Sequence, residues 1–477
     1  MTQISQPGSW KPRSYQKVGV KLMIQQACAG LLYKPGLGKT SVVYAACRIL
    51  LDKQFVKKIL VICPIRPMYI VWPHQKDDYV EFQDLRVGVM HGKDKDEVLV
   101  SDDYDMYVIN PEGLPWLFNS TSDKKGVTVD PVRLAWLREK FDMLVVDEST
   151  KFRNSQTNRF KLLKKFVPFF KRRYILTGSP RPKNLMDLFG QIYILDEGAS
   201  LGRYITHYRT NYFYPTGYGG YDWTPQPDAL ERITDKIAPL VQVVEQKGNI
   251  ELPEVLINDI WVDLPPEAMR HYRRMEAEMV ARLEEGTVVA ANAAVASSKC
   301  RQIANGGLFG DSGEWQYIHD AKEEALQDLL EQLQGEPVLI TYEFKFDAAR
   351  IHDNLKVPSI STGKVKHDTA TIKRFSDGEL PAVQGHPDSI ALGTDGLQKH
   401  CCNICMFGLT WNYLNYEQVI DRIKRTGNKS KHVTVHRILA RDTVDERMIA
   451  VLDDRETSQK DFMAVLRKVA EGERSKG

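Results

Sequence analysis

Gly30-Leu-Leu-Tyr33-Lys-Pro-Gly36-Leu-Gly38-Lys39-Thr40-Ser-Val-Val-Tyr-Ala-Ala-Cys-Arg-Ile-Leu-Leu51 decides the fold. An apolar run, Gly30 to Tyr33, enters a loop with two glycines, and a helical pattern follows from Ser41 to Leu51. That is the strand, loop and helix context of a phosphate-binding loop. Glycines let backbone N–H groups close around phosphate oxygens, Lys39 can neutralise the β and γ charge, and the Thr40 hydroxyl is placed to ligate magnesium. The strict G-x-x-x-x-G-K-T pattern would have glycine at position 33, where this chain carries Tyr33.

A second signal lies about a hundred residues on. Leu144-Val-Val-Asp147-Glu148 is an apolar strand ending in paired acids, which places both carboxylates at the carboxyl edge of a buried sheet, where open α/β sheets bind ligands. Asp147 can hold magnesium, usually through water, and Glu148 can orient and deprotonate the attacking water of an in-line phosphoryl transfer. A solvated strand end is the alternative for the acids alone. Leu176-Thr177-Gly178-Ser179-Pro180 follows one βα unit later, and the order and separation of the three motifs point to nucleotide hydrolysis.

A third signal is Gln418-Val-Ile-Asp421-Arg422-Ile-Lys-Arg425-Thr-Gly427-Asn428, which predicts two arginines three residues apart on one helix face. Arginine from a second domain can stabilise charge on a transferring phosphoryl group. Surface ion pairs with Glu417 or Asp421 are the alternative fate of Arg422 and Arg425.

Working outward, β-branched runs alternate with helical patterns in two stretches, the signature of parallel α/β units. Strands are predicted at Gly30 to Tyr33, Ile59 to Cys63, Met106 to Ile109, Met143 to Asp147 and Tyr174 to Thr177. A second set is predicted at Val338 to Tyr342, Ser389 to Leu392, Ile404 to Phe407 and Val433 to Leu439. The predicted division is a first lobe over 1–200, a connector and helical insertion over 201–314, a second lobe over 315–450 and a terminal helix over 451–477. Helical periodicity over Pro265 to Glu284 belongs to the insertion.

The 477 residues, 43% hydrophobic, can supply a core for each lobe. No apolar run reaches membrane-spanning length and no leader pattern opens the chain, so an intracellular protein without a membrane partner is expected. Seven cysteines, mostly inside apolar stretches, argue against a disulfide framework, and Cys402-x-x-Cys405 lacks the second pair of a zinc site and reads as buried strand. Net charge of +3 gives no bulk electrostatic argument for nucleic acid. Local basic clusters such as Lys57-Lys58, Lys164-Lys165 and Lys171-Arg172-Arg173 are more often solvated faces.

With these residues assembled, the chain resembles the Swi/Snf family of ATP-dependent DNA translocases within helicase superfamily two, over nearly its whole length. Pro12-Arg-Ser-Tyr15-Gln16 resembles the family's adenine-reading motif, with Gln16 on the base. Pro35-Gly36-Leu37-Gly38-Lys39-Thr40 resembles its phosphate loop, which accommodates Tyr33. Asp147-Glu148-Ser149-Thr150-Lys151-Phe-Arg153-Asn154 resembles its Asp-Glu-x-His box, with Thr150 in place of the histidine that helps couple the lobes. Leu176 to Pro180 with Asn184-Leu185 resembles its coupling motif, and Cys300-Arg-Gln-Ile-Ala-Asn305 resembles the segment preceding the second lobe. Gly385 to Leu397 resembles the motif that grips nucleic acid. Gln418 to Asn428, preceded by Trp411-Asn412, resembles its arginine-finger motif, with Gln418 at the nucleotide.

The resemblance implies two RecA-like parallel-sheet lobes in tandem, ATP and Mg2+ as cofactors, and translocation on DNA with remodelling of DNA or protein–DNA complexes. Duplex is favoured as the substrate, and single strands or RNA remain open. Phosphates would be held near Pro64, Asn110, Thr362 and Gly363 without sequence preference. A strand-separating helicase and a weakly hydrolysing nucleotide-gated clamp are the alternatives. A compact bacterial or phage type of member, monomeric and cytoplasmic (nucleoid or host cytoplasm), is expected.

Overall fold

The computed structural model describes residues 8–123, 126–180, 184–216, 222–245, 252–284, 298–310, 313–391 and 396–457. The chain divides into two compact α/β units, the boundary falling at Asn249/Ile250.

The first unit is built on seven strands: β1 (Cys28–Tyr33), β2 (Ile59–Ile62), β3 (Val87–Val89), β4 (Met106–Ile109), β5 (Met143–Asp147), β6 (Arg172–Thr177) and β7 (Val241–Val244). Their order in the sheet is β7-β1-β6-β5-β2-β4-β3, and every pairing is parallel. The central strands are continuous apolar runs because helices cover both faces. Leu60, Ile62, Leu144 and Val146 are fully buried in one core with Phe152, Phe160 and Phe166. The register sets Leu32 beside Thr177 and Leu176 beside Asp147, so the ends of β1, β6 and β5 meet along one carboxyl edge.

The second unit has five strands: β8 (Glu254–Val262), β9 (Val338–Thr341), β10 (Ala382–Gly385), β11 (Asn403–Met406) and β12 (His432–Ala440). Their order is β8-β12-β11-β9-β10, again all parallel. Both units are therefore mixed α/β with parallel sheets, as expected of two tandem parallel-sheet lobes.

Three details differ from the expectations. The stretch 201–314 is not a separate connector: β7 completes the first sheet and β8 the second. Both are edge strands whose composition hides them, since β7 carries Gln242 and β8 carries the adjacent polar pair Asn258-Asp259 with Leu256 and Ile257 exposed. Of the run Ser389 to Leu392, Leu392 lies outside the described residues and the rest is not strand: Pro387–Ala391 is a short helix, and the strand before it is β10. Proline at the start favours the first turn of a helix, which apolar content alone does not reveal. Pro266–Glu284 is helical as predicted, and the helix at 444–457 precedes residues 458–477, where most of the expected terminal helix falls outside the described residues. No helix among the described residues is long and apolar enough to cross a membrane.

Candidate nucleotide site

The phosphate loop leaves β1 and feeds helix α2 (Lys39–Asp52). Gly36 and Gly38 adopt φ of +80° and +72°, the left-handed region open to glycine at little cost. Gly38 is the N-cap of α2 and no side chain caps it, so the helix's first N–H groups and the positive end of its dipole face the loop. Lys39 Nζ donates to the Tyr33 carbonyl at 2.8 Å, holding the ammonium over the loop.

Tyr33, where the strict motif has glycine, faces the core. Its side chain is fully buried, and its hydroxyl donates to Gln242 Oε1 at 2.5 Å. Gln242 Nε2 in turn donates to the Tyr15 carbonyl at 3.0 Å, so Tyr33 and β7 together fix helix α1 (Ser14–Gln25) beside the loop. From α1, Gln16 Nε2 donates to the Leu37 carbonyl at 3.2 Å, while Gln16 Oε1 accepts from Arg13 N at 2.9 Å. Tyr15 also donates to the Leu37 carbonyl, at 3.3 Å. Gln16 thus braces the loop backbone. A Cβ at Gly38 would lie 2.5 Å from Gln16 Nε2, so the second glycine is needed for close approach as well as for φ.

Along the same edge, Asp147 ends β5. The Trp72 indole donates to its Oδ2 at 3.1 Å and the Glu148 N–H to its Oδ1 at 3.0 Å. Glu148 is left-handed, with φ +53°, and opens a 3-10 turn over Ser149–Phe152. A non-glycine residue in that region is uncommon, and the conformation turns the chain sharply at the strand end. Thr150, where the family motif carries histidine, is buried with a hydroxyl that meets no hydrogen-bond partner among the described residues. Beyond β6, a Cβ at Gly178 would meet Pro35 Cδ at 2.9 Å, so the loop after β6 is packed directly on the phosphate loop.

One residue outside the motifs joins these loops. Gln191, on helix α3 (Leu188–Asp196), accepts from Ser149 Oγ at 2.7 Å and donates to the Pro180 carbonyl at 2.6 Å. Sequence reasoning missed Gln191 and Trp72; the signal for the former was a lone amide inside the apolar run Leu188-Phe-Gly-Gln-Ile-Tyr-Ile-Leu195.

In the second unit, helix α4 (Tyr413–Ile423) carries Gln418 and Arg422, but Arg425 lies beyond its end. The two arginines therefore do not share a helix face. Asn428 ends the helix: its Nδ2 donates to the carbonyls of Ile423 and Cys401, both at 3.0 Å, so the chain turns away before position 425. Arg422 donates to the Ala391 carbonyl at 2.6 Å.

Of the expected phosphate contacts, Pro64 and Asn110 are buried, and Asn110 Nδ2 donates to Glu112 at 3.1 Å. Thr362 donates its hydroxyl to Asp368 at 2.6 Å, beside Gly363 at φ +78°. The segment 392–395 of the nucleic-acid motif lies outside the described residues. Among the basic clusters, Arg172 donates to three main-chain carbonyls, and the exposed Lys171 forms a surface ion pair with Asp142.

A family model described as SNF2-related domain matches residues 15–306. A putative protein of Acyrthosiphon pisum secondary endosymbiont phage 1 is 28% identical over 92% of this chain and 95% of its own length. An uncharacterized ATP-dependent helicase of Mycoplasma genitalium is 24% identical over 93% of this chain, which spans 41% of that protein. The solved SWI2/SNF2 ATPase core of Sulfolobus solfataricus in complex with double-stranded DNA covers 98% of this chain and 97% of its own, at 19% identity and a TM-score of 0.42.

Proposed function

The chain belongs to the SNF2-related family of helicase-like ATPase cores, and from that premise we propose that it hydrolyses ATP to translocate on duplex DNA, remodelling DNA or protein–DNA complexes. The observation that carries the reading is the common carboxyl edge of β1, β6 and β5, where the phosphate loop, the loop after β6 and the acid pair converge.

In this reading the left-handed glycines and the open start of α2 seat the triphosphate, and Lys39 leaves the Tyr33 carbonyl to neutralise its β and γ oxygens. Tyr15 and Gln16 hold the loop in shape, and Gln16 reads the base with the rest of its amide. Glu148 orients and deprotonates the attacking water, with Asp147 fixed beside it by Trp72. Magnesium suits the hard oxygen donors of Thr40 and Asp147, and when bound it offsets phosphate charge. Arg422 and Arg425 supply positive charge to the transferring phosphoryl group, and Gln418 contacts the nucleotide.

The test is magnesium-dependent ATP hydrolysis by the purified chain with no nucleic acid, blunt duplex, single-stranded DNA and RNA, using Glu148→Gln as blank. Duplex stimulation supports translocation. Preference for single strands favours an unwinding helicase, and activity no higher than the blank favours a nucleotide-gated clamp.

A further inference from the structure

The two loops that flank the hydrolytic acids and the phosphate loop are held by one buried amide. Gln191 is 1% exposed and Ser149 is fully buried. Its Oε1 accepts from Ser149 Oγ at 2.7 Å, and its Nε2 donates to the carbonyls of Pro180 and Asp187 at 2.6 and 2.7 Å. Both amide hydrogens and one oxygen lone pair are thereby used, which an amide in an apolar helix needs in order to be tolerated.

The placement of the three partners matters more than their number. Ser149 directly follows Glu148, whose backbone is left-handed at the strand end. Pro180 follows Gly178 and Ser179, the turn seated against Pro35 and the Tyr33 carbonyl. Asp187 is the residue just before α3, so its carbonyl ties the Gln191 side chain to the start of its own helix. Close packing keeps that helix in place: a Cβ at Gly190 would fall 2.1 Å from the Phe152 carbonyl, at the end of the 3-10 turn that Glu148 opens. A displacement of either loop must stretch a short buried hydrogen bond or move the other loop.

We infer that Gln191 is a positioning residue that locks the Glu148 turn to the Gly178-Ser179-Pro180 loop, so that the water-orienting carboxylate follows the state of the loop packed on the phosphate loop. The inference rests on the hydrolytic reading above. Gln191 itself touches no substrate; it acts through Ser149 on the one side and Pro180 on the other.

Three variants separate the links. Gln191→Leu removes both, Gln191→Glu keeps an acceptor for Ser149 and loses the donors to Pro180 and Asp187, and Ser149→Ala removes only the Ser149 link. The readouts are kcat and KM for ATP in the presence of duplex DNA, the dissociation constant of a fluorescent ATP analogue, and the melting temperature of each protein. Gln191→Leu lowers kcat about tenfold per folded molecule with nucleotide affinity changed less than about threefold, and Ser149→Ala lowers it about threefold. Because the residues share one link, Ser149→Ala added to Gln191→Leu lowers kcat by less than about twofold more. Multiplicative losses in the double variant, or losses that merely follow the folded fraction, would overturn the inference. If Gln191→Leu does not fold, Ser149→Ala and Gln191→Glu decide: wild-type kcat in both overturns it. An inactive wild type would overturn the hydrolytic reading and this inference with it, whereas an active wild type with unaffected variants overturns the inference alone.

Discussion

The two units are built on parallel sheets of the same kind, yet they treat the carboxyl edge in opposite ways. In the first, the helix after β1 begins at an uncapped glycine, and the acids opposite it stand on a sharp left-handed turn. In the second, the helix after β9, Lys345–Leu355, begins under its own carboxylate: Asp347 Oδ2 accepts from the N–H groups of Glu343 and Phe344 at 3.3 and 3.0 Å. Asn305 donates to the same oxygen at 2.9 Å, and the fully buried Lys322 bonds both Asn305 and Asp445, at 2.9 and 2.7 Å. In the second unit a carboxylate of the helix itself takes up the N–H groups that precede the helix, whereas Gly38 brings no side chain to the start of the helix after β1. The two sheets share a fold, and the side chains at their carboxyl edges set them apart.

This contrast can be broken in several places. The largest effect is expected at Lys39→Ala, which lowers ATP turnover more than about ten-thousandfold, above about 5 kcal/mol of transition-state stabilisation, and leaves the second unit's melting unchanged. Turnover within tenfold of wild type would remove the phosphate loop from the mechanism. Lys322→Met is the converse. It strands the Asp445 carboxylate, which is 3% exposed, and costs about 3–5 kcal/mol of stability, while a fluorescent ATP analogue still binds. A melting temperature within about 2 °C of wild type would show that the second edge is not held by this pair.

The pH dependence of the second unit sharpens the point. Burial pushes His319 down from 6.5 to about 4, so its contribution to stability is present above pH 6.5 and is lost as pH falls toward 4. Burial pushes Asp347 up from 3.8 to about 6, so its contribution is present below pH 3.8 and is lost as pH rises through 6. Between pH 4 and 6 the two oppose each other, each worth roughly 3 kcal/mol at full extent. Denaturation midpoints at pH 6.5, 5.2 and 4 should fall on acidification in Asp347→Asn and rise in His319→Gln; parallel slopes would refute this pairing. The smallest effect is expected at Gly38→Ala, where the left-handed backbone alone costs about 1–2 kcal/mol and Gln16 Nε2 stands in the way. ATP affinity should fall about tenfold. Gly335→Ala, at φ +88° with nothing near its Cβ, should cost similar stability and leave ATP affinity intact.

How much was legible follows from where the determinants lie along the chain. β1, β2, β4, β5 and β6 were readable because a strand buried on both faces is a run of consecutive apolar residues. β7 was not, because Gln242 interrupts it and is tolerated only through Tyr33 and the Tyr15 carbonyl, which lie 209 and 227 residues away. β3, three residues at the sheet edge, offers too short a pattern. In the site, the phosphate loop, Asp147 and Glu148 are contiguous motifs, so spacing alone marks them. Arg425 was placed on a helix face because periodicity cannot foresee that Asn428 caps the helix at Ile423.

The sequence by itself determined the two parallel α/β units, the phosphate loop and the acid pair, since each is a local pattern whose chemistry depends on neighbours within a few residues. Only the tertiary structure decided that Tyr33 is a core anchor, that Trp72 fixes Asp147 across 75 residues, and that Gln191 reaches Ser149 across 42. A buried polar group is stable only beside its partner, and that partner is chosen by how helices and strands pack together, which no window along the chain contains.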